Sequence, residues 1–216
     1  MPTRFPGGIS TAVKNSDLFD LISPDPTTIH QFFDDFNKYN AADWTVTTTE
    51  AGSGSATEAV GDADAGVLVL TNAAGDNDLD FLQMVAETFL FEVGKKLWFK
   101  ARFKVSDATQ SDFIMGLQIT DTSALAVSDG VFFQKDDGDT ALDFHVEKDG
   151  IATSASDIAT IVDDTYLTVG FYYDGVSKIA YYVNGVKAGT SVVTNMPDDE
   201  ELTISFGIQN GEAVAK

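Results

Sequence analysis

The residues best equipped for chemistry in this 216-residue chain are carboxylates. Asp143, Glu147 and Asp149 stand close together, and hydrolysis of a glycosidic bond needs two carboxyls facing each other across a cleft. Acids sharing one face of a strand fall two and four residues apart. Asp149-Gly150 instead carries a turn signature, so the three do not form one row. The expected role is a solvated sheet edge that opposes aggregation. Two further clusters crowd oxygen atoms into loops, as a hard cation requires. Asp76 and Asp78 lie in Gly75-Asp76-Asn77-Asp78-Leu79-Asp80, and Asp136, Asp137 and Asp139 in Lys135-Asp136-Asp137-Gly138-Asp139-Thr140. These five aspartates are the candidate calcium ligands. Neither loop fits the EF-hand template, because Phe81 stands where that template needs glycine, and metal-free Asp-Gly turns are the expected state. No other cofactor is implied.

Only two histidines occur, His30 and His145, which excludes a His-rich metal site. Neither accompanies a G-x-S-x-G elbow, and no Gly-rich phosphate loop is present. The expectation is that the chain is not an enzyme. The chain contains no cysteine, hence no disulfide framework and no thiol nucleophile. Thirteen Lys and Arg against 34 Asp and Glu leave a formal charge of −21. Such a charge argues against nucleic acid as a direct partner and against an anionic membrane surface. No apolar run is long enough to cross a bilayer as a helix. The first residues lack the apolar core of a secretory signal, so an extracellular destination implies another exit such as cell lysis.

Against that acidity, Lys95, Lys96, Lys100, Arg102 and Lys104 form a basic stripe. It suits an acidic partner or a carboxylated sugar, but pairing with Asp and Glu on adjacent strands is the favoured expectation. Trp98, Tyr172 and Tyr182 fall opposite the apolar residues of their strands, which makes them the candidate carbohydrate-binding residues.

The elements that would hold these residues separate by composition. Residues 1–26 carry Pro2, Pro6, Pro24 and Pro26 and suggest an extended arm, with a reach of roughly 80–90 Å if fully drawn out. Residues 27–216 form the folded domain. Ile29, Phe32, Phe33 and Phe36 are spaced for one face of a short helical turn capped by Thr27 or Thr28, leading into a strand. From Trp44 the periodicity is that of β-structure. Leu97, Phe99, Ala101, Phe103 and Val105 alternate with polar residues, as do Leu167, Val169, Phe171 and Tyr173. Asp174-Gly175 and Asn184-Gly185 mark hairpins on either side of Lys178–Val183. Further strands are predicted near 66–72, 80–91, 112–120, 130–135, 140–147, 157–162 and 201–209. The fold class is therefore all-β, an antiparallel sandwich or barrel.

Leu167–Gly175 with Tyr182–Val186, preceded by Phe33–Phe36, Gly66–Thr71 and Leu97–Phe103, resembles the strand signatures of concanavalin A-like lectin/glucanase (laminin-G-like) jelly rolls. That resemblance implies a two-layer jelly-roll β-sandwich, a fold that hosts lectins, hydrolases and structural domains alike. It also implies one more strand after Phe206–Gly211. Without it, an open edge would lie beside Leu202–Gln209 unless the N-terminal segment or another chain filled the place.

Thr3-Arg4-Phe5-Pro6-Gly7-Gly8-Ile9-Ser10 resembles the opening of structural proteins of tailed marine bacteriophages. The resemblance implies a capsid decoration or cement protein on the outer surface of a virion. Its partners would be the major capsid protein and further copies of itself, with Arg4, Phe5, Pro6 and Ile9 making capsid contact. The alternative is a carbohydrate-binding, host-adsorption module of a phage head or tail fibre, with surface glycans as partners.

Overall fold

The computed structural model describes residues 29–63 and 66–216. They divide into two units, one of residues 29–39 and 59–69, the other of residues 40–58 and 70–216. The arm and its four contact residues, Arg4, Phe5, Pro6 and Ile9, lie outside the described residues, as do Thr27 and Thr28.

The first unit holds most of a two-stranded sheet, β2 (Thr57–Gly61) with β3 (Val67–Thr71). The helical turn predicted for 27–40 is absent over 29–39. Phe36 takes a left-handed φ of 50°, and its N–H donates to Asp34 Oδ1 at 2.7 Å. That local turn competes with the helical hydrogen-bond pattern and wins. Phe33 is consequently 72% exposed rather than packed on a helical face. The only short helix among the described residues is a single 3-10 turn at Ala41–Asp43, with Asn40 as its cap.

The second unit is a β-sandwich. Its larger sheet holds, in spatial order, β1 (Trp44–Thr49), β4 (Leu79–Met84), β13 (Thr203–Asn210), β6 (Ser111–Gln118), β7 (Gly130–Lys135), β8 (Ala141–Lys148) and β9 (Ile151–Thr160). The smaller sheet runs β12 (Val186–Val192), β11 (Lys178–Val183), β10 (Leu167–Tyr173), β5 (Leu97–Phe103). Every sandwich pairing is antiparallel. Between the sheets lies one aromatic-rich core. Phe133, Phe144 and Tyr181 interlock with Phe171, whose neighbour Phe99 stacks on it at 5.2 Å. The alternating strands place these residues inward because burying each large side chain is worth about 1.5–3 kcal/mol.

Three strand expectations are corrected. The run predicted for 80–91 ends at Met84, and beyond it only Phe89 pairs, in an isolated bridge with Leu202. The strand predicted at 157–162 runs instead from Ile151 to Thr160, with a bulge opposite Leu142–Phe144 where Asp157 has a φ of 56°. β13 leaves no open edge, because it inserts between β4 and β6 and is paired on both sides.

Candidate functional site

The outer face of the four-stranded sheet gathers the exposed aromatic and basic residues of the sandwich. Alternation on β5 turns Leu97, Phe99, Ala101 and Phe103 toward the core, and Trp98, Lys100 and Arg102 away from it. On β10 the outward set is Thr168, Gly170 and Tyr172; on β11 it is Lys178, Ala180 and Tyr182. Register aligns them in rows. Trp98 stands opposite Tyr172, which faces Ala180 and then Thr190. In the next row Lys100 faces Gly170, then Tyr182 and Lys187.

Trp98 is 65% exposed, although its indole stacks on the half-buried Tyr172 ring at 5.3 Å and 28°. Gly170 is required where it stands, since a Cβ there would come within 2.7 Å of the Phe99 carbonyl oxygen.

Pairing of the basic stripe with acids on neighbouring strands is not what the structure shows for its central members. None of the four strands carries an Asp or Glu. Lys95 pairs with Glu92 at 2.5 Å and Lys104 with Asp164 at 3.1 Å, both outside the sheet. Lys100 and Arg102 have no ion pair among the described residues. Arg102 lies over the Tyr166 ring, 3.8 Å from its centroid, a cation–π contact that leaves the charge uncompensated. Sequence reasoning missed Lys178, Lys187 and Tyr166 as members of this face. The available signal was the absence of acids throughout four strands of a chain with 34 of them.

The larger sheet carries the acids that the smaller one lacks. Asp143, His145 and Glu147 share one face of β8, while Asp149 sits on the following turn with a φ of 53°. The first and last thus lie four residues apart on one face, with the histidine between them. Asp143 Oδ1 accepts from the Asp157 N–H at 2.8 Å. His145 stacks on Phe132 at 5.1 Å, and its Nδ1 lies 2.8 Å from Ser154 Oγ. Burial holds the imidazole below its ordinary pKa, against the opposing pull of Asp143 and Asp136. Burial also raises the Glu147 carboxyl, with Asp129 adding to the effect. A shallow polar cavity beside them is lined by Gln134, Asp136, Asp139, Asp143, His145 and Asp157. Over the central strands of this sheet, Ala124 and Val127 of the loop after β6 pack on Leu79, Phe81, Ile114 and Phe132.

Neither loop gathers its candidate calcium ligands into a metal site, although Asp136 and Asp139 both line the polar cavity. Asp78 is buried and accepts from the N–H groups of Ala51, Gly52 and Gly75 at 2.5, 3.0 and 2.7 Å. Those bonds outweigh its burial and hold its pKa below the usual carboxylate value. Asp136 accepts from Gln134, Asp139 closes its own turn onto Ala141, and the Asp137 N–H donates to Asp112. Asp76 is exposed. Among the described residues, no three His, Asp or Glu side chains converge closely enough to share a metal ion.

No family model matches the chain, and no curated protein matches it. Solved structures do resemble it. A Bacteroides ovatus mixed linkage glucan GH16 protein, solved with a G4G4G3G product, superposes with a TM-score of 0.58 at 16% identity, over 84% of this chain and 86% of the other. A protein of unknown function from Shewanella oneidensis MR-1 gives 0.54 at 16%, over 84% and 78%. The potassium-bound carbohydrate recognition domain of Emp46p gives 0.53 at 10%, over 83% and 88%. The chain thus has the concanavalin A-like jelly-roll fold that its strand signatures resembled, and at these identities the likeness extends to fold alone.

Proposed function

We propose that the chain is a non-catalytic carbohydrate-binding module whose ligand stacks on the Trp98–Tyr172 pair. The observation that carries this reading is the exposure of Trp98, a large apolar ring held out to water on a sheet face. A sugar ring laid on it would remove on the order of 100 Å² of apolar surface from water, worth about 2–3 kcal/mol or a 30- to 150-fold gain in affinity. Solved neighbours described as a carbohydrate recognition domain and a glucan-complexed GH16 protein are consistent with sugar binding on this fold. The covered centre of the larger sheet and the His145 between Asp143 and Glu147 support a binding role over hydrolysis. Affinity electrophoresis through gels containing neutral and acidic polysaccharides tests it. Retardation by at least one polymer, lost in Trp98→Ala, is expected; mobility unchanged in every gel would overturn it.

A second reading follows from the resemblance of Thr3–Ser10 to phage structural proteins. In it the first residues hold the module on a capsid and the sandwich faces outward. The two readings are compatible, and cryo-EM of virions from a phage encoding this chain tests the second by the presence or absence of its density on the shell.

A further inference from the structure

Among the strands of the sandwich, acids occur only on the larger sheet. The chain carries 34 Asp and Glu, yet none lies on the four strands behind the Trp98 platform, and those strands present Lys100, Arg102, Lys178 and Lys187 outward. All four are exposed and none has an ion pair among the described residues. Nearby acids are engaged or at the rim. Asp174 Oδ1 accepts from the N–H groups of Val176, Ser177 and Lys178, Glu92 pairs with Lys95, and Asp164 pairs with Lys104.

We infer that the platform binds an anionic polysaccharide, one whose rings stack on Trp98 and Tyr172 while its carboxylate or sulfate groups meet Lys100 and Arg102. This rests on the carbohydrate-binding reading and adds the ligand's charge. Three features carry it. Lys100 and Arg102 follow Trp98 on the same face of β5, each about 7 Å beyond the last. A chain lying along β5 would therefore meet one aromatic and two cationic contacts in succession. Tyr182 and Lys187 stand in the same row as Lys100 across Gly170, adding a second aromatic and a further cation to the face. Finally, Arg102 is held by the Tyr166 face instead of a carboxylate, so its fork of N–H donors remains free for a ligand anion. Lysines on an edge strand also oppose sheet-to-sheet aggregation, but that role accounts for neither an exposed indole nor the exclusion of every acid from four strands. The net charge of −21 does not prevent the encounter, because at 0.15 M salt charges more than about 8 Å away are largely screened.

The full-length chain is titrated with a polyuronate, with the same polymer after carboxyl reduction, with a sulfated galactan and with single-stranded DNA. Lys100→Gln/Arg102→Gln is the test variant, and Lys148→Gln on the other sheet is the charge control. Expected is binding of the polyuronate or the sulfated galactan at least ~10-fold tighter than of the carboxyl-reduced polymer, weakening as NaCl rises from 0.1 to 0.5 M. The double variant should lose ~10-fold on the acidic polymer, leave the neutral one unchanged and match wild type in self-association, while Lys148→Gln has no effect. Equal affinity for acidic and carboxyl-reduced polymers overturns the inference but leaves the sugar-binding reading standing. Binding of no polysaccharide at all overturns both. Tighter binding of DNA, or self-association that the double variant abolishes, overturns the inference in favour of another polyanion or a second acidic copy.

Discussion

Asp80→Asn is expected to make the protein more stable at pH 8 and to reduce the fall in its stability between pH 4 and 7. Asp80 is the second residue of β4, paired with Thr48 and Ile208, and has no solvent exposure. Neither carboxyl oxygen receives a hydrogen bond from a protein donor. Its neighbour is the Glu58 carboxyl, and two carboxyls bond only when one of them carries a proton. Burial, then repulsion from Glu58 and the hydrogen bond to it, with Glu50 behind, push Asp80 up to about 7 from 3.8. The folded state thus holds a proton that the unfolded chain releases above pH 3.8. Stability from this group is fully present below pH 3.8, declines as pH rises and is lost once pH passes about 7. At 1.36 kcal/mol per unit, the loss amounts to about 4 kcal/mol. Asparagine is uncharged at every pH and can donate to Glu58, so the variant avoids that loss. Urea denaturation followed by tryptophan fluorescence at pH 4.5, 6 and 8 should show a variant advantage that grows with pH, to about 2–4 kcal/mol at pH 8. An advantage independent of pH, or a variant less stable than wild type at pH 8, would refute the shared-proton account.

Other consequences are open to measurement. Asp78→Ala strands three N–H groups of the Ala51–Gly52 and Gly75 loops and should cost about 2–4 kcal/mol in urea denaturation. Lys216 bonds Asp107 at 2.7 Å and Glu212 at 2.8 Å with its side chain only 4% exposed, so Lys216→Met should lower the thermal midpoint. Chiefly through Lys216 and backbone N–H bonds, Asp107 is held at about 2; the stability it contributes is present above pH 3.8 and lost as pH falls toward 2, and Lys216→Met should shrink that acid-side loss. Phe144→Ala opens a cavity among Phe133, Phe171 and Tyr181 and should cost about 3–5 kcal/mol by chemical denaturation.

Short-range patterns in the chain carried the β-fold far, because strand alternation and the Asp-Gly and Asn-Gly turns are local. The Lys178–Val183 strand between its two turns lies where those signals predict it. Ile29–Phe36 failed because periodicity counts apolar letters, while a side-chain turn at Asp34 decides the backbone. The strand Thr57–Gly61 escaped notice since its residues are mostly exposed and show no alternation. For the candidate site, alternation alone put Trp98, Tyr172 and Tyr182 on outward faces. It paired the basic stripe with acids by default, for lack of any knowledge of which strands are neighbours.

The amino-acid order determined, by itself, which side of each strand is apolar, where the turns fall, and that no cysteine, phosphate loop or nucleophile elbow is present. Strand order was decided only in three dimensions: β13 pairs with segments more than 80 residues earlier in the chain, and β5 meets β10 across more than 60. Those long-range pairings bring four acid-free segments into one sheet, and no local rule sees them, since the free energy that selects them comes from closing the shared core rather than from any residue's neighbours in sequence.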